Sequence, residues 1–157
     1  MAKIPLIQGD ILQADTDVIL HQVNCQGVMG AGLALQIRLK YPEVYTRYRD
    51  YCAKFPLDSS EMLGQIQCIC VGNEPLLYIV NLFAQDKIGR GRRFTDYDAL
   101  RSCLTQVNKR FKGKRVAIPF WMSCGLAGGD WQTVSKIIED TMTDCQVTYY
   151  RYTPEVS

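Results

Sequence analysis

Two short stretches carry glycines at a spacing suited to gripping an anion. The first, VNCQGVMGAGLALQIRLK over residues 23–40, closes an apolar run and holds Gly27, Gly30 and Gly32 just before a helical pattern begins. The second, SCGLAGGD over residues 123–130, holds Gly125, Gly128 and Gly129 and also precedes a helical pattern. A strand that runs into a helix through such a loop leaves the first helical N–H groups without partners, at the positive end of the helix dipole. That is a ready phosphate site, and glycine lets the main chain approach it closely. Two loops so placed predict a clasp around the two phosphates of a diphosphate. Commoner motifs are excluded by spacing. GVMGAG reads Gly-x-x-Gly-x-Gly, not the dinucleotide fingerprint, and it follows the second strand rather than the first. The chain has no P-loop and no Gly-x-Ser-x-Gly elbow.

Other reactive side chains are few. His21 is the only histidine, and it lies inside DVILHQVN. That run is almost continuously apolar, so a hydrogen-bonded core histidine is expected rather than a general base. Cys25 and Cys124 fall in the two loops, where a helix N-terminus can lower a thiol pKa. No basic partner is evident for either, and neither is read as a nucleophile. Cys68 and Cys70 would share one strand face, a spacing of neither zinc nor redox type, and one histidine cannot complete a ligand set. No metal or other cofactor is expected.

The elements that must position these loops alternate in type. KIPLIQGDI reads as a first strand ending in Gly-Asp, and DVILHQVN as a second, buried on both faces. A helix is expected from about Ala31, ended or kinked at Pro42, and EVYTRYRDYCAKF places Val44, Tyr48 and Tyr51 on one helical face. GQIQCICVG and PLLYIVNLFA, joined by a short turn, predict an antiparallel pair. In TDYDALRSCLTQVNKRFKG, Leu100, Cys103, Leu104, Val107 and Phe111 share a face, with Thr95 as N-cap and Gly113 closing the helix. KRVAIPFW is a fifth strand, with Phe120 and Trp121 read as packing at its end. WQTVSKIIEDTM is a helix capped by Asp130, and CQVTYYRYT is a last strand. Alternating strands and helices with one tight hairpin imply an α/β sandwich around a mixed sheet.

Bulk properties agree. The 157 residues suit one domain, 47% hydrophobic and 22% charged, with a formal net charge of +2. Strong nucleic-acid binding is not expected from so balanced a charge. The one basic cluster, KIGRGRR at 87–93, is a solvated loop or a rim that attracts a polyanion. Seven cysteines, no leader-like apolar start in MAKIPLIQGD and no run near membrane-spanning length read as a cytoplasmic protein with reduced thiols. The oligomeric state is left open, with a monomer favoured.

QGDIL after the first strand, VNCQGVMGAGLA after the second, IPFWMSCGLAGGDW after the fifth and VTYYRY at the end resemble the macrodomains, which bind ADP-ribose. The resemblance covers nearly the whole chain, 1–157, as a single macrodomain. It is closest to the branch that contains terminal ADP-ribose protein glycohydrolase and the antitoxin that removes ADP-ribose from DNA. It implies a three-layer α/β/α sandwich with a central mixed sheet, and a partner that is ADP-ribose or an ADP-ribosylated macromolecule.

Several site roles follow from that resemblance. Asp10 would accept a hydrogen bond from the adenine amino group beside the Ile11 main chain; its rival role is a turn aspartate. Asn24 would meet the distal ribose, or else fix its own loop. Gly27, Val28, Met29, Gly30, Ala31 and Gly32 would wrap the distal ribose and one phosphate; Ser123, Gly125, Leu126, Ala127 and Gly128 would do the same from the second loop. Tyr150 would stack on adenine, with Tyr149 and Tyr152 as neighbouring alternatives. For catalysis, the branch uses a lysine beyond the fourth strand and an aspartate in the second glycine loop. Here Gln85 stands at the lysine position and Ala127 at the acid position, so Lys87 and Asp130 are the nearest substitutes. The implied function is hydrolysis of ADP-ribose conjugates, including ADP-ribosyl esters, O-acyl-ADP-ribose and ADP-ribosylated protein or DNA. It would proceed by positioned water, with Asn24 contributing, or by one of those substitutes. The alternative is a reader that binds ADP-ribose without turnover.

Overall fold

The computed structural model describes residues 3–56, 59–72, 74–88 and 91–152. Six strands form one sheet: β1 (Leu6–Gln8), β2 (Val18–Asn24), β3 (Ile66–Cys70), β4 (Tyr78–Gln85), β5 (Arg115–Pro119) and β6 (Gln146–Arg151). Their spatial order is β1-β6-β5-β2-β4-β3. Every pairing is parallel except β3 with β4, as the tight connection between those two strands requires. The sheet is therefore mixed.

Four helices cover both faces: α1 (Gly32–Lys40), α2 (Pro42–Cys52), α3 (Tyr97–Arg110) and α4 (Trp131–Thr141). Strand alternation divides the core. Val18 and Leu20 of β2 with Val80, Leu82 and Ala84 of β4 pack against Leu100, Leu104 and Val107 of α3 and Val134 and Ile138 of α4. Ile19 and Val23, with Ile79 and Phe83, pack on the other face against Ile37 of α1 and Val44 and Tyr48 of α2. This is the three-layer α/β/α sandwich. β2 is buried on both faces, which explains an apolar run interrupted only by His21 and Gln22 before it ends at Asn24.

The chain differs from its sequence reading in three local respects. Of the two roles expected for Pro42 the structure takes the first: α1 ends at Lys40 without a kink; the addition is that Pro42 also opens α2, where a missing N–H costs nothing. A 3₁₀ turn, Ile11–Gln13, follows β1, capped by Asp10. The cap of α3 is Asp96, whose carboxylate accepts from Ala99 N, and not Thr95. Thr95 is buried, and its hydroxyl is used elsewhere. Among the described residues no helix is long and apolar enough to cross a membrane.

Candidate functional site

The carboxyl ends of the parallel strands open onto three adjoining hollows that share walls. The largest, about 660 Å³, lies between Asp10, Ile11, the start of α1 and the end of β6. A middle one of about 310 Å³ shares Gly32, Leu33, Phe120 and Trp121 with it. A third, about 350 Å³, shares Gln22, Ala31, Gln85 and Leu126 with the middle one. Together they make one groove across the strand ends, where open α/β sheets present their ligand sites.

At the first end, Asp10 Oδ1 accepts from Leu12 N at 2.9 Å, so the turn role is real. Its second oxygen has no partner among the described residues, and Asp10 also lines the groove. Alternation along β6 separates the tyrosines. Tyr149 turns into the α3/α4 side and packs edge-on against Phe120 and Trp131. Tyr150 packs on the α1/α2 side and lines the groove, as does Tyr152. Trp121 does not pack away as expected. It is 52% exposed and lines two of the three hollows.

The middle of the groove is set by α1. Asp10, Asp96 and Asp130 cap the 3₁₀ turn, α3 and α4 through their side chains, but the N-cap of α1 is Ala31, which has none to offer. The first N–H groups of α1 are therefore left for whatever lies in the groove beside Gly32, Leu33 and Ala34. Gly125, Leu126 and Ala127 face them from the second loop. The glycines of that loop are not equivalent. A Cβ on Gly128, at φ +74°, would stand 2.6 Å from Arg92 O, and one on Gly129 would stand 2.5 Å from Ser123 O. Those two are needed for packing. Gly125 would meet nothing within 4 Å, and Gly30, in the first loop, would meet only Val28 at 3.6 Å. Both line the groove, where no fold requirement demands glycine.

The far end is floored by neutral polar groups. Gln22 Nε2 donates to Gln85 Oε1 at 3.2 Å and to the Thr95 hydroxyl at 3.0 Å. Thr95 Oγ1 donates to Ser123 O at 2.9 Å, and Ser123 Oγ donates to Gln22 Oε1. Gln85 Nε2 donates to Lys87 O at 2.7 Å. Gln22 was not singled out in the sequence; an uncharged polar residue inside an otherwise largely apolar strand was the available signal. Asn24 serves its own loop: its Oδ1 accepts from Gln26 N at 2.9 Å and from the Tyr48 hydroxyl at 2.7 Å, and its Nδ2 donates to Val28 O at 2.9 Å. Asn24 still lines the distal hollow beside Val28, Gly30 and Ala31. Met29 is 1% exposed and anchors the loop in the α1/α2 core; Gly27, at φ +77°, turns the chain above Cys52.

The substitutes for the branch's catalytic pair do not converge on this end. Lys87 is exposed and lines none of the three hollows; only its carbonyl is held. Asp130 caps α4, with Oδ2 accepting from Thr133 N at 3.0 Å and from its hydroxyl at 2.9 Å. The loop thiols are held in the protonated form: burial, then the Asp86 charge, pushes Cys25 up to about 12, and burial, then Asp130, pushes Cys124 up to about 11.

His21 is 3% exposed, and its protonation is fixed by a chain of hydrogen bonds. Gln67 Nε2 donates to the Arg47 carbonyl at 3.1 Å, and Asn81 Nδ2 donates to Gln67 Oε1 at 3.0 Å. A carbonyl only accepts, so Asn81 turns its oxygen to His21 Nε2, which must carry the proton. Nδ1 is left as a bare acceptor with no partner among the described residues. Burial, opposed by the Asn81 bond, lowers the imidazole to about 4.

Comparison with known proteins agrees with this architecture. A family model described as Macro domain matches residues 20–138, three quarters of the chain, and the chain belongs to the macrodomain family. The DNA ADP-ribosyl glycohydrolase of Mycobacterium tuberculosis is 30% identical over 82% of this chain, which spans 35% of that protein's length. The ADP-ribose 1″-phosphate phosphatase of Saccharomyces cerevisiae is 33% identical, covering 96% of this chain and 99% of the relative. Among solved structures, a Bacteroides thetaiotaomicron protein of unknown function superposes with a TM-score of 0.79 at 28% identity, over 95% and 98% of the two chains. The macrodomain of Mycobacterium tuberculosis DarG does so with 0.76 at 25% identity, over 99% and 100%.

Proposed function

We propose that this chain binds ADP-ribose along the groove and hydrolyses ADP-ribose conjugates with a water positioned at its distal end. The observation that carries the reading is the uncapped N-terminus of α1, midway along a groove with a free carboxylate oxygen and aromatic rings at one end and amides at the other. Adenine would lie against Tyr150 with its amino group on Asp10. The diphosphate would lie between the first turn of α1 and the Gly125 loop, and the distal ribose over Gln22, Asn24 and Gln85.

Among the described residues, those lining the distal hollow include no carboxylate, amine, imidazole or thiol. Catalysis there would rest on orientation and on donors aimed at developing charge rather than on a strong base. That favours conjugates with leaving groups stable as anions: acyl esters, ADP-ribosyl carboxylates and ADP-ribose 1″-phosphate. The full-length match to a phosphatase of that phosphoester supports the same choice. The same lack of an ionisable group among the described lining residues favours the second reading, a reader without turnover. Calorimetry with ADP-ribose tests the binding that both readings share, and absence of heat at high micromolar ligand would end both. Mass spectrometry of products from O-acetyl-ADP-ribose, ADP-ribose 1″-phosphate, ADP-ribosylated protein and ADP-ribosylated DNA separates them; flat curves for all four leave the reader. Lys87→Ala should hydrolyse at the wild-type rate, and lost turnover with retained binding would return Lys87 to the mechanism.

A further inference from the structure

We propose that Trp121 is a specificity-determining wall of the groove that contacts the nucleoside half of the bound nucleotide. The proposal rests on the ADP-ribose reading of the groove and adds a residue that neither the sequence reading nor that function requires.

Three observations converge on it. First, Trp121 holds a left-handed backbone at φ +69°. A bulky side chain there is strained, and such strain persists where the surroundings enforce it and collects at ligand-binding positions. Second, the indole is placed but not buried. It stacks on Trp131 with centroids 5.8 Å apart and planes at 27°, and leans on Phe120 at 5.7 Å. Trp131 is braced edge-on by Phe120 at 5.0 Å and Tyr149 at 5.3 Å, so the stack stands on a fixed base. The residue as a whole is nevertheless half exposed. Third, Trp121 lines both the hollow that holds Asp10 and Tyr150 and the middle hollow beside the start of α1. It marks the junction where a base and its ribose would pass toward the diphosphate. A packing tryptophan would be covered, and a turn at positive φ would be met more cheaply by glycine. An indole held at such a junction, on a rigid aromatic base, has the form of a stacking platform for a purine nucleoside.

Trp121→Gly separates the roles, because glycine relieves the left-handed strain while removing the ring. Its thermal midpoint should match or exceed the wild type's. Its Kd for ADP-ribose should rise about tenfold or more, and its Kd for AMP by a similar factor, because both ligands carry the nucleoside. Trp121→Phe should keep most of the affinity. In Trp131→Phe, which leaves Trp121 as the sole tryptophan, ADP-ribose should quench the emission. Wild-type affinity for ADP-ribose in Trp121→Gly, or unchanged emission on saturation of Trp131→Phe, would overturn the proposal. A loss confined to ADP-ribose with AMP unaffected would overturn the nucleoside contact. Failure of the wild type itself to bind ADP-ribose would instead fall on the functional reading.

Discussion

Glycine informs most where the fold has no need of it. Gly128 and Gly129 sit so close to Arg92 and Ser123 that a Cβ would collide with main chain, so their presence says nothing of a ligand. Gly30 and Gly125 have ordinary backbone angles and room for a side chain, and both border the groove. Gly125→Val should therefore leave the thermal midpoint nearly unchanged while abolishing ADP-ribose binding in a calorimeter; normal binding would show that the ligand never approaches that loop. Gly128→Ala should do the reverse and first cost stability, about 1–3 kcal/mol, by combining a steric clash with strain at positive φ. Unchanged unfolding of that variant would contradict the packing described. From the sequence all these glycines look alike, because the distinction lies in how the folded loop sets Gly128 against Arg92 and Gly129 against Ser123. Asn24 is similar: its type suits a sugar, but its oxygen already serves Gln26 and Tyr48.

Helix ends make the same point for the elements. Periodicity placed α2, α3 and α4 because each buries one stripe; that of α3 holds Leu100, Cys103, Leu104 and Val107 as expected, adds Ala99, and is continued by Phe111 from the C-cap just beyond the helix. Caps were less legible. Thr95 and Asp96 are both good cap residues, and the choice fell to Asp96 because Thr95 is drawn into the network with Gln22 and Ser123. Asp130 is legible in two ways, as cap and as acid, and the geometry favours the cap. Asp130→Ala should lower stability by about 1 kcal/mol through loss of two hydrogen bonds at the start of α4. Its affinity for ADP-ribose and any turnover should stay at wild-type levels once the protein is folded. A rate loss well beyond the stability loss, measured below the thermal transition, would restore Asp130 as an acid.

At the scale of the molecule, the order of elements along the chain was legible but their neighbours in space were not, since β2 pairs with β4 and β5, and β6 with β1 and β5. That is why the Gln22–Ser123 contact, 101 positions apart, escaped the sequence reading, whereas the buried character of His21 did not. His21 links the core to the stability of the whole. Its folded pKa of about 4 lies below the unfolded value of about 6.5, so the native state binds fewer protons between those two values. Stability from this group is complete above pH 6.5, falls as pH drops toward 4, and is flat below, for a total of about 3 kcal/mol. Urea denaturation at pH 7.5, 6, 5 and 4 should show that decline, with a shallower slope in His21→Gln, whose side chain does not titrate. The chain has one histidine, so its imidazole proton resonance is a single unambiguous probe. That signal should hold its chemical shift from pH 8 to about 5, and a midpoint near 6.5 in the folded protein would mean that the ring is not kept from water as its 3% exposure implies.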